Sequence, residues 1–247
     1  MRFLFIILLL FSFATSESIK IATSANVSYA MSELKETFLK QNPNSRVDII
    51  LGSSGKLTAQ ILHLAPYDIF LSADMKYPFR LQKENLTATE PKIYAKGSLI
   101  IFTIKDNIDL SKGIAVVKDA KKIAVANHKT APYGKASVEA LKNAELFKIA
   151  KPKFINGESI AQSVQYSLIA TDIGFIAKSA IFSNKMKKYN KIGKNWVDVN
   201  RSLYKPIEQG VVILKRAKKS NLAKKFYEFL FSKEAKTIFQ KYGYITD

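Results

Sequence analysis

Cysteine is absent from this chain of 247 residues, and histidine occurs only twice. The missing thiols exclude disulfides, thiolate metal sites, thiol nucleophiles and a lipid anchor on cysteine. His63 and His128 lack the spacing of a metal site, no Gly-x-Ser-x-Gly elbow is present, and the carboxylates form no recognisable acid–base pair. The sequence therefore predicts a protein that is not an enzyme, needs no cofactor and has no direct ligands for a metal cation.

Long apolar runs are also lacking, and the one at the N-terminus is short. Residues 3–13 form an apolar stretch behind Arg2, and small residues follow at 14–16. A run of about eleven apolar residues is shorter than the roughly 20 that cross a bilayer, and its flanks are typical of a secretory signal. We predict that residues 1–16 are a signal peptide, cleaved near Ser16, and that the mature chain is exported. A retained N-terminal anchor is the alternative.

Acidic residues are few: 20 Asp and Glu accompany 39 Lys and Arg, which gives a formal net charge of +19. A charge of this sign can indicate a nucleic-acid partner. The lysines, however, are scattered over predicted helix surfaces, and the dense runs at 185–188 and 215–219 are not interleaved with aromatic residues as base stacking requires. We therefore expect solvated faces and no nucleic-acid interface, with a positive field that at most steers anions inward.

Short apolar runs alternate with amphipathic runs along nearly the whole chain, a pattern typical of α/β proteins with mostly parallel sheets. The roughly 230 mature residues suffice for one two-lobed unit or two small domains. Extended strands near 96–104 and 205–214 are expected to join the two units. We predict lobe I from 17–96 and 206–247, lobe II from 97–205, and a ligand in the cleft between them.

Small polar residues mark four junctions between a predicted strand and a predicted helix. The junctions read Ala25-Asn26, Gly52-Ser53-Ser54-Gly55, Ala131-Pro132-Tyr133-Gly134 and Asn156-Gly157-Glu158-Ser159, the last leading into Ile160. A helix begins with unpaired backbone N–H groups and partial positive charge, so converging helix starts form a cradle for an anion. Each junction alone could be ordinary helix capping. The four together predict that the protein binds a small oxyanion.

The run at 52–57 also invites comparison with a phosphate-binding loop. That motif requires glycine where Ile50 stands and Ser or Thr where Leu57 stands, so nucleotide hydrolysis is not predicted. What remains is a hydroxyl and a backbone N–H that Ser54 can offer to an anion. Tyr133 and Ile160 are expected to offer backbone N–H groups, with their side chains in the core.

At these residues the chain resembles the periplasmic molybdate-binding proteins of ABC transporters, the ModA family. The resemblance covers essentially the whole predicted mature chain. The matching stretches are GSSGKLTAQI at 52–61, APYDIFLSAD at 65–74, APYG at 131–134, DIGFI at 172–176 and KYGY at 241–244.

The resemblance implies a two-lobed type II periplasmic binding fold that holds molybdate or tungstate between its lobes. It implies anion contacts at Asn26 with Ala25 beside it, at Ser54, at Tyr133 and at Ile160. It further implies that a monomeric protein delivers the anion to an ABC permease in the inner membrane. The alternative from another class is a secreted enzyme or surface protein that acts on phosphorylated or polyanionic ligands. An enzyme would show turnover, and a polyanion binder would show steeply salt-dependent association.

Overall fold

The computed structural model describes residues 17–246, and the predicted signal peptide at 1–16 lies outside the described residues. None of the described helices is both long and apolar enough to cross a bilayer. The strands are β1 (Glu17–Ser24), β2 (Ser45–Gly52), β3 (Ile69–Ser72), β4 (Lys92–Gly97), β5 (Leu99–Phe102), β6 (Ile123–Ala126), β7 (Phe154–Gly157), β8 (Ile173–Ala177), β9 (Trp196–Asp198) and β10 (Ile207–Ile213). The α-helices are α1 (Ser28–Gln41), α2 (Ser54–Leu62), α3 (Lys76–Lys83), α4 (Pro132–Asn143), α5 (Phe147–Ala150), α6 (Ile160–Ile169), α7 (Asn221–Phe229) and α8 (Lys233–Lys241).

Burial explains why these segments form strands and helices. Every residue of β3, β5, β6 and β8 is buried, as is typical of inner strands that are covered on both faces. Helix α1 instead buries one stripe, with Met31, Leu34 and Phe38 facing the core at helical spacing. The alternation of strand and helix that the sequence predicted is therefore confirmed.

Two five-stranded sheets form the cores of the two lobes. Their strand orders are β2-β1-β3-β10-β4 in lobe I and β7-β6-β8-β5-β9 in lobe II. The sequence predicted mostly parallel sheets, whereas each sheet is mixed, with two parallel and two antiparallel pairings. The antiparallel pairings all involve β5 or β10. Each of these strands follows directly from the other lobe, with no α-helical crossover to set a parallel direction.

The chain passes between the two sheets at two places. Ser98 alone separates β4 from β5, and residues 199–206 connect β9 to β10. The C-terminal segment lies against the first of these connections, because Ile245 forms a β-bridge with Lys96. These connections bring the ends of the strands of both lobes to one cleft. The exact lobe boundaries stay a prediction.

Candidate functional site

One small cavity lies where the carboxyl ends of β1, β2 and β3 meet the N-termini of α2, α4 and α6. Its volume is about 10 Å³. Ligands of open α/β sheets bind at this end of the strands. The five residues singled out from the sequence all line this cavity. The lining residues are Ser24, Ala25, Asn26, Gly52, Ser53, Ser54, Ala73, Ala131, Pro132, Tyr133 and Ile160.

Asn26 lies in the turn between β1 and α1 and is fully buried. Its side-chain Nδ2 donates to Gln209 Oε1 at 2.8 Å and to the Tyr244 hydroxyl at 2.9 Å. Its carbonyl oxygen accepts hydrogen bonds from Tyr244 at 2.8 Å and from Ser179 of lobe II at 2.9 Å. Its backbone N–H has no partner within the described residues. Because Nδ2 already donates within the protein, the backbone N–H is the donor that Asn26 leaves for an anion.

Helix capping does not explain Asn26. Helix α1 begins at Ser28, its capping position is Val27, and no side chain caps it. The alternative that this asparagine is only a cap is therefore wrong, since its side chain holds two other segments together.

Ser54 is the first residue of α2, and the capping position belongs to its neighbour. Ser53 Oγ accepts a hydrogen bond from the Lys56 N–H at 3.4 Å, which satisfies one of the unpaired donors of the helix start. Ser54 is fully buried, and its hydroxyl is hydrogen-bonded to that of Ser24. Across residues 17–246 the Ser54 N–H has no acceptor. Both groups that the sequence assigned to Ser54 therefore lie at the cavity.

Lobe II contributes the starts of two helices. Pro132 is the first residue of α4, so Tyr133 presents the first N–H of that helix. Ile160 is the first residue of α6, where Ser159 Oγ caps the helix by accepting from Gln162 N–H at 3.3 Å. The N–H groups of Tyr133 and Ile160 have no acceptor in the described part of the chain. Both side chains are buried, as expected from the sequence.

Sequence reasoning missed three residues that shape this site. Ser24, the last residue of β1, and Ala73, just after β3, both line the cavity. The Ala73 N–H lies 3.0 Å from the hydroxyl oxygens of Ser24 and Ser54. Gln209 is fully buried within β10 and holds the Asn26 side chain. A glutamine in an otherwise apolar strand was the signal that could have identified it.

The cavity lining carries no formally charged side chain. Asp74 follows Ala73, outside the lining, and its Oδ1 accepts a hydrogen bond from the Tyr77 N–H at 3.3 Å. Partial burial raises the pKa of Asp74. Burial also raises the pKa of Tyr133 well above its usual value, so this phenol stays neutral. Any charge inside the cavity therefore has to come from a ligand.

The family model described as "Bacterial extracellular solute-binding protein" matches residues 19–245. The chain belongs to this family. It is 31% identical over 228 residues to the molybdate-binding protein ModA of Rhodobacter capsulatus, covering 92% of this chain and 87% of that protein. It is 33% identical over 238 residues to ModA of Azotobacter vinelandii, covering 94% and 91%. The solved periplasmic molybdate-binding protein of Azotobacter vinelandii superposes with a TM-score of 0.85 at 28% identity, covering 93% of this chain and 99% of that one. The resemblance to ModA and the two-lobed α/β fold are thereby confirmed.

Solute-binding proteins of this family hold a ligand between lobes that are joined by flexible connections, and here the two lobes touch around the cavity. The Tyr77 hydroxyl of lobe I donates to the carbonyl oxygens of Lys129 and Thr130 of lobe II, at 3.3 and 3.4 Å. The Lys56 ammonium lies 3.5 Å from the Glu158 carboxylate across the same cleft. The structure therefore corresponds to a closed arrangement.

Proposed function

We propose that this protein captures molybdate or tungstate between its lobes and delivers the anion to an ABC permease in the inner membrane. In this proposal it is exported, works as a monomer in the periplasm and catalyses no reaction. The observation that supports it best is a cavity between the lobes that is lined by residues with unpaired backbone N–H groups and by serines, without a charged side chain. Because the family includes molybdate-binding relatives, we take the oxyanion to be molybdate or the similar tungstate.

The proposed contacts are the N–H groups of Asn26, Ser54, Tyr133 and Ile160, together with the Ser54 hydroxyl. Ala25, which the resemblance placed beside Asn26, lines the cavity, but its own N–H is bonded to the Gly52 carbonyl oxygen at 3.0 Å and is not left for the anion. A hydrogen bond to a charged group contributes about 1.5–3 kcal/mol, more than a neutral one. The N-termini of α2, α4 and α6 add partial positive charge from three directions. Several such donors can hold a tetrahedral dianion without any positively charged side chain.

Neutral donors also account for selectivity and release. Backbone N–H groups are fixed by the helices, so they define one radius for the anion, whereas a flexible lysine would accept many sizes. We therefore infer that cavity size separates molybdate and tungstate from the smaller sulfate. The absence of a full counter-charge leaves the ligand free to depart when the lobes open at the permease.

The lobes in this proposal are those expected from the sequence, with 17–96 and 206–247 forming lobe I and 97–205 forming lobe II. Closure around the anion brings the helix starts of lobe II against those of lobe I. The closed form is the one that we expect the permease to recognise.

Calorimetry of the purified protein with molybdate, tungstate, sulfate and phosphate tests the proposal. We expect one tightly bound molybdate or tungstate per chain, no displacement by millimolar sulfate, and little dependence on salt. Ser54→Ala should weaken molybdate binding by about 1–3 kcal/mol, because charged oxygens lose a donor. Ser167→Ala is a matched control, since its hydroxyl is equally buried and donates to the Ser163 carbonyl in lobe II at 2.7 Å. Comparable binding of all four anions with a steep salt dependence would instead identify a polyanion-binding surface.

A further inference from the structure

Two buried serine hydroxyls share one backbone donor beside the cavity. Ser24 Oγ and Ser54 Oγ are hydrogen-bonded to each other, and the Ala73 N–H lies 3.0 Å from each of them. The two serines are 2% and 0% exposed. Neither hydroxyl has any other hydrogen-bond partner among residues 17–246.

The number of protons in this arrangement leaves one donor unused. The two hydroxyls carry two protons, and one of these forms the hydrogen bond between Ser24 and Ser54. Ala73 contributes a donor and therefore accepts neither proton. One O–H thus remains without an acceptor in the described protein, on a buried serine that lines the cavity. Because buried donors are normally satisfied, this O–H indicates that the cavity accommodates a hydrogen-bond acceptor.

The position of each serine decides which hydroxyl keeps the free proton. Ser54 opens α2, and its own unpaired N–H lies at the cavity together with its hydroxyl. Ser24 ends β1, where the neighbouring N–H of Ala25 is already bonded to the Gly52 carbonyl at 3.0 Å. The Ser54 hydroxyl at the start of α2 therefore faces the ligand, and the Ser24 hydroxyl at the end of β1 supports that of Ser54.

We propose that Ser24 is a positioning residue for the bound oxyanion. Its O–H donates to Ser54 Oγ, and this turns the Ser54 O–H toward the ligand. The inference rests on the proposed function, because it takes Ser54 as an anion contact. Two donors on Ser54 Oγ, from Ser24 and Ala73, also polarise the Ser54 hydroxyl and strengthen the hydrogen bond that it donates.

A double-mutant cycle with Ser24→Ala, Ser54→Ala and the combined variant tests this role, with molybdate affinity measured by calorimetry. Ser24→Ala should weaken binding about fivefold while Ser54 is present, because the orientation and polarisation of its O–H are lost. In the Ser54→Ala background the same change should alter affinity by less than about twofold, since the residue through which Ser24 acts is missing. Ser167→Ala serves as the control for the loss of a buried hydroxyl and should bind as the unchanged protein does.

Each other outcome contradicts a specific statement. Unchanged affinity in Ser24→Ala, with normal binding by the unsubstituted protein, overturns the positioning role alone. A combined loss as large as the product of the single losses, or larger, shows that Ser24 acts without Ser54, as a direct donor to the anion would, and this also overturns the positioning role. Failure of the unsubstituted protein to bind molybdate or tungstate overturns the proposed function, and the role of Ser24 with it.

Discussion

The Gly55 N–H of lobe I donates to the Thr130 carbonyl oxygen of lobe II at 2.9 Å. A β-carbon on Gly55 would lie 3.0 Å from both the Cα and the carbonyl oxygen of Thr130, and 2.7 Å from the Tyr77 hydroxyl. Two of these neighbours are backbone atoms that cannot rotate away. The lobes can therefore approach each other this closely at the cavity only because residue 55 is a glycine.

Substitution of this glycine should separate closure from folding. We expect Gly55→Ala to weaken molybdate binding at least about tenfold, because the methyl group meets the Thr130 backbone only when the lobes close. The ligand-free protein should be as stable as before or more stable, since alanine favours a helix over glycine by about 1 kcal/mol. Calorimetry and thermal unfolding without ligand measure the two effects, and full affinity in the variant would show that the lobes close differently.

Removal of the Tyr77 hydroxyl should weaken closure more mildly. In Tyr77→Phe the hydrogen bonds to the carbonyl oxygens of Lys129 and Thr130 are lost, and we expect binding weaker by about 0.5–1.5 kcal/mol. Tyr67→Phe is a matched control, because the Tyr67 hydroxyl donates to Gln60 Oε1 at 3.0 Å within lobe I. Equal effects of the two substitutions on affinity would rule out a specific contribution of Tyr77 to closure.

The ion pair between Lys56 and Glu158 should contribute little, although it also crosses the cleft. Its side chains are 60% and 79% exposed, and exposed pairs contribute about 0–1 kcal/mol. We expect Lys56→Ala to lower affinity less than about threefold and the difference to vanish in about 1 M salt. A larger loss that persists at high salt would mean that Lys56 contacts the anion itself.

Asp74 should make stability depend on pH in an unusual direction. Partial burial raises its pKa above the ordinary value of 3.8, although Tyr77 N–H and the lysines at 76 and 135 oppose the rise. A raised folded-state pKa means that the protonated carboxyl is favoured by folding, so stability is lost as pH rises through that pKa. The free energy of unfolding of Asp74→Asn, relative to that of the unsubstituted protein, should therefore be higher at pH 7 than at about pH 3. Urea denaturation at the two pH values measures this difference.

Asp172 should show the opposite pH dependence of stability, because its pKa is lowered. Burial alone would raise its pKa, but the N–H groups of Lys122 and Lys121 donate to its Oδ2 at 2.9 and 2.8 Å, and the net effect lowers the pKa. A lowered pKa contributes stability above the unfolded value that is lost as pH falls through the folded one. Asp172→Asn should thus have a lower free energy of unfolding than the unsubstituted protein at pH 7, and the difference should be smaller at pH 3. The same trend in both variants would refute the assignment for Asp74.

Local chemistry explains what could be predicted from the sequence. The helices α2, α4 and α6 begin at small polar residues or proline, and such starts depend on neighbours within a few positions. The segments that escaped prediction depend on distant partners. Strand β4 has only three non-lysine residues between Lys92 and Lys96, and it forms because β10, more than a hundred positions later, pairs with it. Gly97 ends β4 at a point where the Tyr133 hydroxyl and the Gln209 side chain leave no room for a β-carbon.

The sequence by itself determined the alternation of elements, the apolar stripes and the residues at which the anion-facing helices begin, because hydrophobic periodicity and capping act over a few residues. Only the tertiary structure decided that helix starts from two lobes converge on one cavity. It also decided that Ser24, Ser54 and Ala73 share hydrogen bonds there and that Gln209 accepts a hydrogen bond from the Asn26 side chain. These relationships arise from the pairing of β1 with β2 and β3 and from the antiparallel insertion of β10. Such contacts bring distant positions within hydrogen-bond distance, and no local pattern in a single sequence records them.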